Sequence, residues 1–175
     1  GTWDMEGGGV IIDQAIHTMD LMRWFVNSDI DYIDANTSNR AHKIIQVEDS
    51  AEGVIKYKNG VVTAFHAINY YTYDAPVKIE IHCEKGMVNM VGDRADIKFK
   101  DGRELIADNN PNDTFDYGNG AKGYWGTSHT KQIKNYYASI SAELQPDIAG
   151  EDAIKTQKMI CAIYESGRKR VRIKL

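Results

Sequence analysis

The chain has 175 residues, with 21 basic and 25 acidic side chains, a net charge of −4 and an apolar fraction of 42%. That length suffices for one substantial core, and the balance is that of an ordinary globular domain. The basic residues form no long run apart from Arg168-Lys169-Arg170-Val171-Arg172, which reads as a solvated edge, so nucleic-acid binding is excluded as a leading function.

The first residue is Gly1, and the chain reaches G-G-G-V-I-I-D-Q-A-I-H-T-M-D, Gly7 to Asp20, almost at once. This start reads as that of a fragment. A helix is expected from about Val10 to Val26, ended by Asn27-Ser28-Asp29. Val10, Ile11, Ile12, Ile16, Leu21, Met22, Trp24 and Phe25 point in nearly every direction around it, so the helix is expected to be largely buried. Asp13 and His17 stand at i and i+4 and emerge on one face. A carboxylate beside an imidazole fixes its tautomer and raises its basicity, which is the pairing of general acid–base chemistry. The same spacing also describes a plain solvated helix pair. Asp20, three residues after His17, is either a second imidazole partner or a structural anchor, with the anchor preferred.

Strands follow. Ile30 to Arg40 alternates weakly, and Ser50 to Tyr57 leads through Lys58-Asn59-Gly60 into Val61 to Ile68. Asn-Gly between two β-rich runs predicts a type I′ hairpin. Val77 to Cys83 alternates strictly, so one of its faces is wet or meets a partner. Glu84-Lys85-Gly86 turns into Met87 to Val91, and Ile97 to Lys100 pairs across Asp101-Gly102 with Glu104 to Ile106. Residues 107 to 126 read as a long irregular loop of the kind that often carries function. A helix from Ser128, as N-cap, to Leu144 presents Ile133, Tyr136, Tyr137, Ile140 and Leu144 on one face and is broken by Gln145-Pro146-Asp147. A second runs from Glu151 to Ser166, with Ile154, Met159, Ile160, Ala162 and Ile163 as core candidates and Gly167 as its stop. Val171 to Leu175 is a last strand. The order predicts an α+β fold: one open, predominantly antiparallel sheet with helices packed on one face. No apolar stretch has transmembrane length and none reads as a signal peptide. Cys83 and Cys161 form no C-x-x-C pattern, so a reducing cytoplasm fits and a disulfide scaffold does not.

Gly1-Thr2-Trp3, Gly7-Gly8-Gly9, then Asp13, His17, Asp20-Leu21 and Arg23-Trp24 resemble the start of the C-terminal domain of the Gfo/Idh/MocA oxidoreductases. The resemblance continues in the family's order through Val47-Glu48-Asp49-Ser50-Ala51, Lys58-Asn59-Gly60, Glu84-Lys85-Gly86, Gly126…His129…Gln132-Ile133 and Ala162-Ile163-Tyr164-Glu165-Ser166, over essentially the whole chain. It implies that residues 1–175 form the substrate-binding and oligomerisation domain of an NAD(P)-dependent dehydrogenase of a sugar, nucleotide sugar or cyclitol. His17 matches the histidine that exchanges a proton with the reacting hydroxyl, and Asp13 the carboxylate that assists it. Trp3, Gln14, Tyr124, Trp125 and His129 match the border of the substrate pocket. The family's Glu-Lys-Pro lysine belongs to an N-terminal Rossmann domain outside this chain. No G-x-G-x-x-G follows a strand here, and Gly7-Gly8-Gly9 reads as a close-packed helix start. The isolated chain is therefore expected to bind no cofactor tightly and to be inactive, with NAD or NADP used by the full-length protein.

Alternatives stand beside several of these readings. His129 borders the pocket or caps its helix, and Trp3 stacks on a sugar ring or plugs the core. His66 and His82 are expected as sheet-face residues, and His42 is loop-like. Tyr70-Tyr71-Thr72-Tyr73 is pocket wall or interface. Related proteins bury an open sheet face against a second subunit, so a homodimer or homotetramer through the sheet is expected, with no membrane or nucleic-acid partner. A metal site of Asp13, His17 and Asp20 is disfavoured, because the three span about 10 Å of one helix and do not share a direction. The competing function is a non-catalytic sugar-binding or assembly module of the same fold.

Overall fold

The computed structural model describes residues 1–108, 118 and 127–175. In chain order these form α1 (Trp3–Glu6), a π-helical turn (Ile11–Ala15), α2 (Ile16–Val26), β1 (Ile30–Ser38), β2 (Ser50–Tyr57), β3 (Val62–Ile68), β4 (Lys78–Cys83), β5 (Gly86–Val91), β6 (Arg94–Phe99), β7 (Glu104–Ala107), α3 (Thr127–Ser141), α4 (Gly150–Lys169) and β8 (Ile173–Lys174). The chain divides into two compact units, residues 1–75 with 150–175, and residues 76–149.

The α+β, antiparallel character expected from the sequence is present. The single open sheet is not: the strands form two four-stranded sheets, β3-β2-β1-β8 in the first unit and β4-β5-β6-β7 in the second. Alternation predicts each strand but says nothing of which edge it joins, and β3 finds no partner in β4.

The core lies in the first unit. Alternation sends Ile33 of β1 and Ala51, Ile55 and Tyr57 of β2 to one sheet face, all fully or almost fully buried. Met159, Ile160, Ala162 and Ile163 of α4 meet them at helical spacing, and Val10, Ile11 and Met19 complete the cluster. Each large apolar side chain so buried contributes about 1.5–3 kcal/mol. Ile154, also expected in the core, is exposed.

Helix ends follow backbone caps that the sequence only partly announces. α2 stops at Asn27, whose left-handed backbone (φ 45°) returns its N–H to the Arg23 carbonyl at 3.0 Å, as expected there. Gly167 does not stop α4. The helix passes through it to Lys169 and ends where Arg170 (φ 54°) donates to the Ser166 carbonyl. Gly167 is instead a close-approach glycine: a Cβ there would lie 2.6 Å from Thr37 Oγ1 on β1. α3 ends a turn before Leu144, at a left-handed Glu143 with Leu144 N–H bonded to the Ser139 carbonyl and Glu143 N–H to that of Ile140. That double bond is a Schellman ending, which stops the helix before Pro146 is reached.

The β2–β3 hairpin is present, but its turn is not type I′. Only Gly60 has positive φ (95°), Gly60 N–H bonds the Tyr57 carbonyl, and Tyr57 N–H bonds that of Val61. This is a three-residue connection with glycine in the left-handed position. Asn59 is occupied otherwise: its side-chain N–H bonds the Val26 carbonyl at the end of α2.

In the second unit β4 to β7 run as a meander, with Ile81 opposite Val88, Val88 opposite Ile97 and Ile97 opposite Leu105. The expected apolar face of α3 forms, but Ile133, Tyr136, Tyr137 and Ile140, with Leu144 beyond the helix end, are each about half or more exposed. Most of the irregular segment expected at 107–126 lies outside the described residues.

Candidate active site

The helix carrying Asp13 and His17 starts under constraint. Gly8, Gly9, Val10 and Ile11 are buried. The N–H groups of Gly9 and Ile11 donate to the two carboxylate oxygens of Glu48, at 2.8 and 3.1 Å, and Val10 N–H donates to the Glu48 carbonyl at 3.1 Å. Tyr164 of α4 adds its hydroxyl to Glu48 Oε1 at 2.9 Å. Burial, followed by the charge of Glu48, pushes the Tyr164 hydroxyl well above the usual phenol range, so it stays a donor. Side chains on Gly8 or Gly9 would run into the Tyr164 hydroxyl and the Glu48 backbone. The glycine run is a close-packed helix start, as its context suggested.

The helix is not largely buried. Ile11 and Met19 face the core, whereas Asp13, Gln14 and His17 are exposed, as are Trp24 (65%) and Phe25 (39%), whose rings meet edge to face. Ile12, Ile16 and Met22 pack half-buried against the core, so of the predicted apolar set only the two aromatics face outward. The π-turn widens the spacing around Asp13, its middle residue. Asp13 accepts a 2.8 Å hydrogen bond from Gln14 Nε2, and no hydrogen bond or ion pair joins it to His17 among the described residues. Both groups are exposed, and no ion pair to either is present among the described residues.

Asp20 is an anchor. It accepts from Arg23 Nη2 at 3.1 Å and from the Thr156 hydroxyl, while Arg23 also bonds Asp152 at 2.7 Å. This network staples α2 to α4 and turns Asp20 away from imidazole duty. Among the described residues no group of three His, Cys, Asp or Glu side chains is placed to hold a metal ion.

Trp3 of α1 is 40% exposed, with its ring against Tyr164 at 5.5 Å and 82°, so it is no core plug. His129 sits exposed in the first turn of α3 and belongs to the other unit. Ser128 lies inside the helix rather than at its N-cap. Tyr124 and Trp125 lie outside the described residues. His66 is an exposed sheet-face residue opposite Glu52, and His82 is exposed and 2.5 Å from Glu80. A cavity of about 560 Å³ beside α3, walled by Ile133, Tyr136, Tyr137 and Ile148, holds neither Asp13 nor His17.

The sequence reading passed over the work of Glu48 and Asp49, which it met only as a run before a strand. Asp49 is fully buried and accepts the N–H groups of Arg40, Ala41 and His42 at 2.7–2.9 Å. Burial alone would raise its pKa, but these donors hold it down at about 2. The available signal was two adjacent carboxylates between Val47 and Ala51, at the start of a core strand, where charge must find donors.

The family model described as the GFO/IDH/MocA C-terminal domain matches residues 1–89. A 1,5-anhydro-D-fructose reductase of Ensifer adhaerens is 31% identical over 88 residues, 48% of this chain and 26% of that protein. The WlbA dehydrogenase of Bordetella pertussis, solved with NADH and UDP-GlcNAcA, superposes with a TM-score of 0.77 at 24% identity over 100% of this chain and 47% of its own. An oxidoreductase of Agrobacterium radiobacter, solved with NAD+, L-tartaric acid and magnesium, gives 0.81 at 21% identity over 95% and 49%. The chain thus spans about a quarter of the curated relative and about half of each of these structures. Matched over half its length and alike in fold throughout, the chain belongs to the GFO/IDH/MocA family as a C-terminal domain.

Proposed function

We infer that this chain is the substrate-binding and proton-handling half of an NAD(P)-dependent oxidoreductase acting on a hydroxyl-bearing carbon of a sugar, nucleotide sugar or cyclitol. The observation that carries the reading is Asp13 and His17, exposed together on a helix whose start is clamped from within. The relatives named for a sugar-derived substrate, or solved with a nucleotide sugar, support the substrate class.

The described residues do not themselves fit a dinucleotide. The amides of Gly9 and Ile11, the natural phosphate donors at a helix start, already serve the Glu48 carboxylate, whose charge would repel a pyrophosphate. The cofactor is accordingly held by another part of the full-length protein, and the isolated chain is inactive. A nicotinamide held there would supply the hydride acceptor or donor. Within this chain, His17 takes the hydroxyl proton at an imidazole nitrogen as the carbonyl forms and gives it back in reduction. Asp13 holds a substrate hydroxyl and supports the imidazolium. Trp3 and Gln14 sit in the same unit as Asp13 and His17 and contribute contacts at its edge.

The same reading includes a homodimer or homotetramer through the open sheet face, where Val54 and Val62 remain exposed; sedimentation of the full-length protein tests it. A reducing cytoplasm suits two free, exposed cysteines. No helix among the described residues is long and apolar enough to cross a membrane.

The test is turnover of the full-length protein with NAD and NADP against a panel of sugars, nucleotide sugars and cyclitols, with His17→Ala and Asp13→Asn in parallel. Loss of general-base catalysis is expected to lower kcat by about 10²–10⁴ for His17→Ala without weakening cofactor binding. Sugar binding without turnover by the parent would favour the binding-module reading, and an undiminished His17→Ala rate would sink the catalytic assignment.

A further inference from the structure

We propose that Glu48 is a positioning residue for the Asp13–His17 pair, its buried carboxylate fixing the start of the helix and thereby the π-turn that carries Asp13. The inference rests on the catalytic reading above.

Glu48 is 4% exposed and both its oxygens are engaged, so it acts on substrate only through what it holds. It binds three successive amides: Gly9 and Ile11 through its carboxylate, and Val10 through its carbonyl. A charged acceptor suits the positive end of a helix. The usual helix cap is a neighbouring Ser, Thr or Asp, but this one lies 37–39 residues further along the chain, two positions before β2. It therefore registers the helix against the sheet. Two oxygens gripping amides two residues apart fix rotation as well as position, as a single-atom cap would not.

Rotation matters here because the next turn is irregular. Asp13 is the central residue of a π-turn, a conformation that is rare and persists where its surroundings impose it. The Asp13 N–H returns to the Gly9 carbonyl at 3.0 Å, so the residue held by Glu48 Oε2 is also the one that anchors Asp13. Tyr164 completes the device. Its hydroxyl orients the carboxylate, and Trp3 packs edge-on against its ring. A displaced Glu48 would leave the helix folded on Ile11 and Met19 but free to turn, moving Asp13 relative to His17.

The experiment compares full-length Glu48→Gln, Tyr164→Phe and His17→Ala. Glutamine preserves size but puts an NH₂ donor against one of the two amides. Phenylalanine leaves the carboxylate and removes only the bond that orients it. Expected is a fall in kcat on the order of 10- to 100-fold for Glu48→Gln, since misplacing a reacting group by about 1 Å costs up to about 10²-fold. Tyr164→Phe should show a several-fold fall. KM for the cofactor should stay within about twofold, with cooperative melting retained. A merely structural role would scale activity with the folded fraction and leave kcat per folded molecule untouched. Should Glu48→Gln not fold, Tyr164→Phe decides alone. Folded variants with parental kcat, beside an inactive His17→Ala, overturn this inference and spare the catalytic reading. A fully active His17→Ala overturns both.

Discussion

A carboxylate taken out of water must be given donors, and this chain buries two side by side. Glu48 faces the helix start and Asp49 faces the loop that leaves β1, so one dipeptide ties two segments to the edge of the core. Little of that was legible beforehand, because a hydrophobicity pattern registers two acids as a polar stretch. The four-residue spacing of Asp13 and His17 is a local property that the sequence shows, but no hydrogen bond joins the two among the described residues, where Asp13 bonds Gln14 instead. Asp20 was half legible: Arg23 is a local partner, but Thr156 lies 136 positions away, where no local pattern reaches. Asp49 carries a consequence for pH. Its pKa is about 2 when folded, below the ordinary value near 3.9 in the unfolded chain. A depressed folded pKa contributes stability that is complete above the unfolded value and lost as pH falls through the folded one. Urea midpoints should therefore drop between about pH 4 and pH 2, and Asp49→Asn, less stable at neutral pH, should show a shallower drop over that window. Parallel midpoint curves for parent and variant would remove Asp49 from the acid transition.

Among the elements, periodicity located nearly every strand within two or three residues, because the pleat and the turn glycines are local requirements. What it misassigned were glycines and caps whose meaning lies in a neighbour. Gly167 looked like a stop from sequence, whereas in the fold it is the point where α4 touches β1. Two magnitudes compete at that position. Alanine inside a helix gains about 1 kcal/mol over glycine. Its Cβ would lie 2.6 Å from Thr37 Oγ1 and 3.1 Å from the Thr37 backbone nitrogen, and overpacking of that kind costs about 1–3 kcal/mol. The clash should win. Gly167→Ala is expected to lower the melting temperature by a few degrees, as about 1 kcal/mol does in a domain of this size. Thr37→Ala in the same chain should return most of the loss by clearing the side-chain atoms. Calorimetry of the single and double variants checks both statements, and a stabilised Gly167→Ala would mean that helix propensity governs there.

Across the molecule, apolar burial is divided unequally. The main cluster, from Val10 to Tyr164, lies entirely in the unit of residues 1–75 and 150–175. In residues 76–149 the one buried apolar side chain among the described residues is Ile79. Val77, Leu105, Ile106, Ile133, Tyr137 and Ile148 of that unit are each more than half exposed. This imbalance was invisible in the sequence, where both halves carry amphipathic patterns and α3 looks as well equipped with apolar residues as α4. A pattern prescribes a face and leaves open what covers it. Local stability follows buried contacts, so backbone hydrogen bonds over a thin core open at little cost, and those over a dense one open only with global unfolding. Hydrogen exchange of the isolated chain should therefore show β1, β2 and α4 protected to the global limit, with β4, β6, β7 and α3 exchanging orders of magnitude faster. Exposed apolar area of this extent calls for a cover. If the assembly proposed above also covers this second sheet, the protection of β4–β7 in the full-length protein should rise towards that of β1 and β2. Equal protection of both units in the isolated chain would mean that the meander is stabilised by its own cross-strand pairs, and that its exposed residues need no partner.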